Sequence, residues 1–142
     1  MDFLTKELIY QMTPQKITAL LYEVCINHLQ DAIQDIEQNQ PLEANVKLQK
    51  VNDILERLGA GINYEAGIVA DQLDTLYNYM ANQVILGNLK KDKLILEEVL
   101  NICEQLASAW NEAMNTGETQ SQRLHQQRTN AYEQNVMVLD RE

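Results

Sequence analysis

Apolar residues recur at steps of three and four along most of the chain, which is the spacing of one face of an α-helix. Four such runs are separated by short polar or glycine-containing stretches, and they predict helices over about 14–37, 41–60, 66–87 and 92–114. Short connections between helices favour antiparallel neighbours. The pattern therefore predicts an all-α fold, an antiparallel four-helix bundle over residues 13–115.

The first run is apolar over more of its circumference than one packing face requires. Thr13 and Pro14 open it, since a threonine hydroxyl caps a helix start and proline fits the first helical position. A helix that is apolar on most sides must be covered from several directions. We therefore expect this helix at the centre of the fold, surrounded by other helices or by a partner. Its apolar positions are Ile17, Ala19, Leu20, Leu21, Tyr22, Val24, Cys25, Ile26, Leu29, Ala32, Ile33 and Ile36.

The two ends of the chain differ from the four central runs. Residues 1–12 are short and mixed, and we expect a leader of one or two helical turns laid against the bundle. Thr116 and Gly117 predict the end of the fourth helix, because glycine is typical of helix ends. The stretch 116–142 is mostly polar until a short apolar run near its end. We expect it to be weakly ordered by itself or docked elsewhere.

Charge narrows the range of partners. The 142 residues include 21 acidic and 11 basic side chains, which gives a formal net charge of −10. The length is typical of one domain, and a hydrophobic fraction of 45% is enough for a core without disulfides. An acidic surface disfavours nucleic acid and anionic membranes. It suits a partner that is neutral or locally basic.

The sequence carries no targeting or catalytic signature. The first residues lack the basic and apolar regions of a secretory signal, and no run approaches the ~20 apolar residues of a membrane span, so we expect a cytoplasmic protein. Cys25 and Cys103 are distant in sequence and lie among apolar residues, which indicates isolated buried thiols in a reducing compartment. Neither His28 nor His125 follows a glutamate at the spacing of a di-metal site. Cys25 and His28 lie three positions apart on one face of the predicted helix, and we favour a core thiol over a catalytic nucleophile for Cys25. No metal, cofactor or catalytic residue is predicted.

Three aromatic residues leave two interpretations open. Trp110 either anchors the end of the bundle core or lies on the rim of a binding surface. Tyr77 and Tyr79 cannot both face inward, because residues two apart on a helix point about 200° apart. One of them is therefore expected at the surface or under a partner.

Two segments carry a resemblance to a known family. The stretch 12–23, MTPQKITALLYE, has Thr-Pro ahead of an aliphatic run that ends in Leu-Tyr. Residues 73–80, LDTLYNYM, are followed by GNLKKD at 87–92, and Trp110 ends the fourth apolar run. Both blocks, in this order and with this tryptophan, resemble the flagellin-binding secretion chaperones of the FliS family.

The resemblance implies a bundle that binds the disordered C-terminal region of flagellin in the cytoplasm, prevents its premature polymerisation and delivers it for export. It also implies contacts with other flagellar export or regulatory proteins, and it implies no catalysis and no cofactor. The wide apolar stripe of the first helix fits such a guest, since a disordered segment can fold into a groove between helices. The candidate flagellin contacts are Ile17, Leu20, Leu21, Tyr22, Tyr77, Tyr79, Met80 and Asn88.

Alternatives remain at the level of the residues and of the function. A core position is an alternative for each candidate contact, and we expect Tyr79 and Asn88 to be the exposed ones. The competing function is a structural or regulatory scaffold, in which a homodimer buries the wide stripe against a copy of itself. The sequence contains no constellation that favours an enzyme over either of these.

The chain departs from the family pattern in two places. Leu86 and Gly87 stand where the family usually has Glu-Ala, which should lower helix stability there. The segment 130–136, NAYEQNV, resembles the leader that precedes the Ser/Thr-Pro in relatives. We hypothesise that this segment occupies the groove which that leader covers.

Deleting residues 118–142 tests this hypothesis. If the segment 130–136 competes for the groove, the shortened chain should bind a flagellin C-terminal peptide more tightly in titration calorimetry, because a competitor has been removed. The melting temperature is the control for folding. Unchanged affinity would count against the idea.

Overall fold

The computed structural model describes residues 12–62 and 67–140, and within them the regular structure consists of four α-helices. Helix α1 spans Pro14–Glu37, α2 spans Pro41–Ala60, α3 spans Ile68–Lys90 and α4 spans Lys93–Asp140. This confirms the predicted all-α fold. The expected leader, residues 1–12, lies outside the described residues except for its last one.

Capping residues mark the start of α1 and the turn between α3 and α4. Thr13 Oγ1 accepts a hydrogen bond from the Lys16 amide at 3.2 Å, and Pro14 follows it as the first helical residue. Helix α3 ends at Lys90, and the C-cap residue Lys91 adopts a left-handed conformation with φ 50°. The Asp92 carboxylate then accepts a hydrogen bond from the Leu94 amide at 3.0 Å in the first turn of α4. The connection between α3 and α4 is therefore two residues long and closed by its own side chains.

Helix α4 extends beyond the end near Met114 that the sequence predicts, and it ends at Asp140. The expected stop at Gly117 is absent, because one glycine inside a helix costs only about 1 kcal/mol relative to alanine. Met114, Glu118 and Gln120 close to it are good helix formers, although Asn115, Thr116 and Thr119 are not. The chain divides into two compact units at residues 108 and 109, and the second consists of the remainder of α4. Docking of the segment 116–142 stays a prediction.

The helices of the first unit run in alternating directions. Asn45 of α2 contacts Asn88 of α3, whereas Gly59, later on α2, faces Asp74, earlier on α3. Residue numbers therefore rise on one helix as they fall on the other, which is the mark of antiparallel neighbours. The same opposed order relates α1 to α4 and α3 to α4, in the pairs Cys25–Cys103, Glu37–Lys93, Tyr79–Glu98 and Gly87–Leu96.

The core of this unit draws side chains from all four helices. Helix α1 contributes Cys25, Leu29 and Ala32, none of which has any exposed surface. The structure does not single α1 out as a central helix, because Val24, Ile26 and Ile36 of its wide apolar stripe are only half-buried and α2 is equally enclosed. The fully buried side chains of the other three helices include Leu48, Val51, Met80, Leu96, Val99 and Cys103.

The core encloses one pair of tyrosine hydroxyls and one pair of cysteine thiols. The phenol oxygens of Tyr22 and Tyr77 are hydrogen-bonded to each other, and burial raises the pKa of both hydroxyls. Cys25 Sγ and Cys103 Sγ lie 3.8 Å apart, and both residues are free thiols without exposed surface. The thiols are thus buried as expected, but they are not isolated from each other. Their hydrogen bond and their burial raise the pKa of the Cys25 thiol, so it stays protonated.

Gly87 allows α3 and α4 to approach closely. A Cβ atom at this position would lie 2.7 Å from Leu96 Cδ2 and 2.9 Å from its Cγ, which is shorter than any ordinary carbon–carbon contact. The Leu96 side chain therefore occupies the volume where another residue would place its first carbon. This contact gives a packing reason for glycine at a position where the family usually has alanine.

Replacing Gly87 by alanine should destabilise the protein by about 1–3 kcal/mol, because overpacking outweighs the gain in helix propensity. Denaturant unfolding measures this. Gly59→Ala is the matched control, since its Cβ would meet nothing closer than 3.9 Å and should leave stability unchanged or raised. Adding Leu96→Val to Gly87→Ala should restore part of the loss. A Gly87→Ala protein as stable as the parent would contradict this account of the contact.

Candidate functional site

The eight candidate contact residues divide between core and surface. Tyr22, Tyr77 and Met80 are buried, with at most a twentieth of their surface exposed. For these three the structure supports the alternative of a core position, because their side chains already contact other helices. The half-buried candidates are Ile17, Leu20, Leu21 and Asn88, and the exposed one is Tyr79.

The first turns of α1 are less completely covered than its middle. Ile17, Leu20 and Leu21 are each half-buried, whereas Leu29 and Ala32, two to three turns later, have no exposed surface. Within the described residues, the wide apolar stripe is thus partly open at its N-terminal end. This is where the sequence places the first family-like motif.

Tyr79 is on the outer face of α3, next to α4. Its side chain is 42% exposed, and its hydroxyl donates a hydrogen bond to Glu98 Oε1 at 2.8 Å. That hydrogen bond is the main reason why the pKa of the Tyr79 phenol is raised. The hydroxyl is thus held by a charged partner, while part of the side chain stays accessible. The prediction that only one of Tyr77 and Tyr79 faces inward is confirmed.

Asn88 joins three parts of the fold and is therefore less exposed than expected. Its Nδ2 donates a hydrogen bond to Asn45 Oδ1 at 2.8 Å, which connects α3 to α2. Lys91 Nζ donates to the Asn88 carbonyl at 2.7 Å and also to its side-chain oxygen. The expectation of an exposed Asn88 is wrong, because a side-chain amide that bonds both Asn45 and Lys91 must lie between them and is only half-exposed.

Large apolar side chains remain exposed on both sides of the Asn45–Asn88 bond. Leu42 is 77% exposed and lies one turn before Asn45, and Leu89 is 80% exposed and directly follows Asn88. Ile85, one turn earlier on α3, is half exposed. The Asn45–Asn88 bond brings these parts of α2 and α3 together, and exposed apolar side chains on neighbouring helices offer a surface that another molecule can cover. The sequence pattern did not indicate this surface, since Leu42 and Leu89 lie outside the predicted stripes.

A groove of about 500 Å³ lies between α2 and α3 and forms a second feature that the sequence did not reveal. Its floor is apolar and its walls carry carboxylates and amides. We refer to it as the α2–α3 groove, and its lining residues are Asn52, Leu55, Glu56, Gly59, Ala60, Asp74, Tyr77, Asn78, Ala81 and Ile85.

The site has the features of a binding surface and none of a reaction centre in the part that the structure describes. No group of three His, Cys, Asp or Glu side chains is placed to hold a metal ion there. Cys25 contacts Cys103, and burial lowers the pKa of half-buried His28, so this histidine is neutral near pH 7. Among the described helices, none has the length and hydropathy needed to cross a bilayer.

Comparison with known proteins agrees with this arrangement. Residues 5–117 match the sequence profile of the family described as "Flagellar protein FliS". A Vibrio cholerae protein named flagellar secretion chaperone FliS is 31% identical over 101 residues, which cover 70% of this chain and 74% of that protein. Proteins with the same name from Bacillus subtilis and Campylobacter jejuni are 28% and 31% identical, over 72% of this chain in each case and over 76% and 81% of their own.

These relatives are named as chaperones, a class without catalysis of its own, and the prediction that the chain is not an enzyme is confirmed. The matched range 5–117 contains α1, α2, α3, the first half of α4 and every candidate contact residue. The chain belongs to the FliS family of flagellar proteins.

Proposed function

We propose that the protein is a cytoplasmic export chaperone that binds the disordered C-terminal region of flagellin, prevents its premature polymerisation and aids flagellar secretion. Its membership of the FliS family and the names of its relatives support this function. The observation that carries the proposal is the exposed apolar surface around the Asn45–Asn88 bond, together with the partly open start of α1.

The energetics of binding a disordered guest require such a surface. Ordering a flexible segment costs on the order of 2–5 kcal/mol, so the guest must bury about 1,000–3,000 Å² to bind firmly. Leu42, Ile85 and Leu89 offer apolar area that water otherwise covers, and burying it contributes about 25 cal/mol per Å². An amphipathic helix meets these side chains by presenting residues at i, i+3, i+4 and i+7.

The half-buried candidates define where contact can begin without disturbing the core. Ile17, Leu20 and Leu21 remain partly accessible, as does the ring of Tyr79, whereas Tyr22, Tyr77 and Met80 support these residues from beneath. In this proposal the first group contacts flagellin and the second holds the first in place. Further contacts with other flagellar export or regulatory proteins would use the remaining exposed surface.

A titration of the protein with a synthetic flagellin C-terminal segment separates this function from that of a homodimeric scaffold. We expect heat of binding in calorimetry, and light scattering should show the mass of a chaperone–peptide complex, because the exposed leucines are then covered by the guest. A protein that has the mass of a dimer with and without the peptide, and that gives no heat of binding, would overturn the proposal. It would favour the scaffold, in which a second copy covers the same surface.

Replacing Tyr79 by alanine should weaken flagellin binding at least threefold, roughly 0.7 kcal/mol or more, while the melting temperature barely changes, because the ring is exposed. Tyr79→Phe is the matched control, since it keeps the ring and loses the hydrogen bond to Glu98. Equal affinity of the alanine variant and the parent protein would remove Tyr79 from the binding surface. Asn88→Ala is a poorer probe, because it leaves Asn45 Oδ1 without a donor and lowers stability.

A further inference from the structure

The α2–α3 groove combines an apolar floor with walls that carry hydrogen-bond acceptors. Leu55 and Tyr77 are buried and form the floor, and Ile85 stands half exposed at one end. The walls present the carboxylates of Glu56 and Asp74, from α2 and α3 respectively. None of the ten lining residues is a lysine or an arginine. The lining itself therefore supplies no positive charge to balance these carboxylates.

One acceptor in the groove is buried and has no donor. Asn52 Oδ1 is excluded from solvent and makes no hydrogen bond within the described chain. A buried acceptor without a donor costs about 1–3 kcal/mol. A guest could satisfy this oxygen only if the Asn52 side chain turned toward the groove, and an occupant with an N–H group would then remove the cost that a purely apolar one leaves.

The two carboxylates are also available to a guest. Glu56 is exposed and Asp74 half-buried, and the ion pairs of the described residues involve other acids, Asp35 and Glu37. Two negative charges facing one groove in a chain of net charge −10 repel each other and attract a cation. A hydrogen bond between an ionised donor and a carboxylate is about twice as strong as a neutral one.

Gly59 keeps one end of the groove open. A Cβ atom at this position would lie 3.9 Å from Asp74 Oδ1, so a longer side chain here would extend toward that carboxylate and restrict access to it. The glycine is in the last turn of α2, where alanine or leucine would be the better helix former. Its presence leaves space beside the carboxylate that a helix alone does not require.

We propose that the α2–α3 groove recognises a lysine or arginine side chain flanked by apolar residues in the guest segment. The aliphatic stem lies along Leu55 and Ile85, and the charged head pairs with Glu56 and Asp74. Long basic side chains bind in this way, with an apolar stem and a polar tip. The inference rests on the proposed chaperone function and specifies the chemistry by which the guest is chosen.

Neutralising the two carboxylates tests the groove in the full-length protein. Glu56→Gln with Asp74→Asn should raise the dissociation constant for the flagellin C-terminal segment about tenfold, since two charge-assisted contacts are lost. Asp53→Asn with Glu97→Gln is the matched control, because it removes the same charge from exposed residues outside the groove. We expect the control to change affinity less than twofold. Equal weakening by both double variants, or no weakening by the first, would overturn the proposal.

A pair of model peptides keeps this test independent of flagellin. One is an apolar helical peptide with a single central lysine, and its twin carries glutamine in place of the lysine. The lysine peptide should bind more tightly and should shift the NMR signals of the Asn52 and Asn78 side-chain amides. If flagellin fails to bind but the lysine peptide behaves as described, the proposed function falls and the groove chemistry stands. Equal binding of the two peptides overturns the groove chemistry.

Filling the groove provides a second variant that does not weaken the fold. Gly59→Leu places an apolar side chain beside Asp74 Oδ1 and improves helix propensity, so the melting temperature should hold or rise. Binding of the lysine peptide should fall about tenfold, because the basic head can no longer reach the carboxylate. Unchanged binding by a stably folded Gly59→Leu protein would contradict the proposed path of the side chain.

Discussion

The hydrogen bond between the buried phenols of Tyr22 and Tyr77 constrains how the first and third helices can pack. Each hydroxyl lies away from water, and an unpaired buried hydroxyl would cost about 1–3 kcal/mol, so the two helices must hold a register in which these groups meet. Three residues further along each helix, Cys25 and Met80 both approach Cys103 of α4, with sulfur–sulfur distances of 3.8 Å. The fourth helix is thereby fixed against the same pair. A polar contact sets the register, and the sulfurs and leucines around it fill the remaining volume.

The sequence was sufficient for the parts of the fold that depend on periodicity along one helix. Thr13 and Pro14 predicted the start of α1. The width of its stripe predicted a central helix, but the structure does not single α1 out, since α2 also has three residues without exposed surface. The two-residue spacing of Tyr77 and Tyr79 required that one of them face outward. These conclusions need only the angle between successive residues, and that angle is the same in every α-helix.

Features that depend on how two helices rotate against each other could not be predicted in this way. Two of these features are the contact between Cys25 and Cys103, 78 positions apart, and the hydrogen bond between Asn45 and Asn88, 43 positions apart. The third is the α2–α3 groove, whose lining comes from two separate helices. A single sequence gives no distance between such residues. Gly117 illustrates a different limit, since a residue that often ends a helix can also be tolerated within one at a cost of only about 1 kcal/mol.

The two-residue connection between α3 and α4 has a consequence for the order in which the chain folds. Gly87 and Leu96 interlock across this turn although they are nine positions apart, and Tyr79 meets Glu98 across nineteen. Closing such short loops costs little chain entropy. Bringing Tyr22 to Tyr77 closes a loop of 55 positions and costs more. Local contacts form early and distant ones late. The same holds for α1 and α2, where Asp35 and Lys47 pair across twelve positions. The α1–α2 and α3–α4 pairs can therefore form first as local hairpins, and a nascent chain would join them in register only after its C-terminal half had been synthesised.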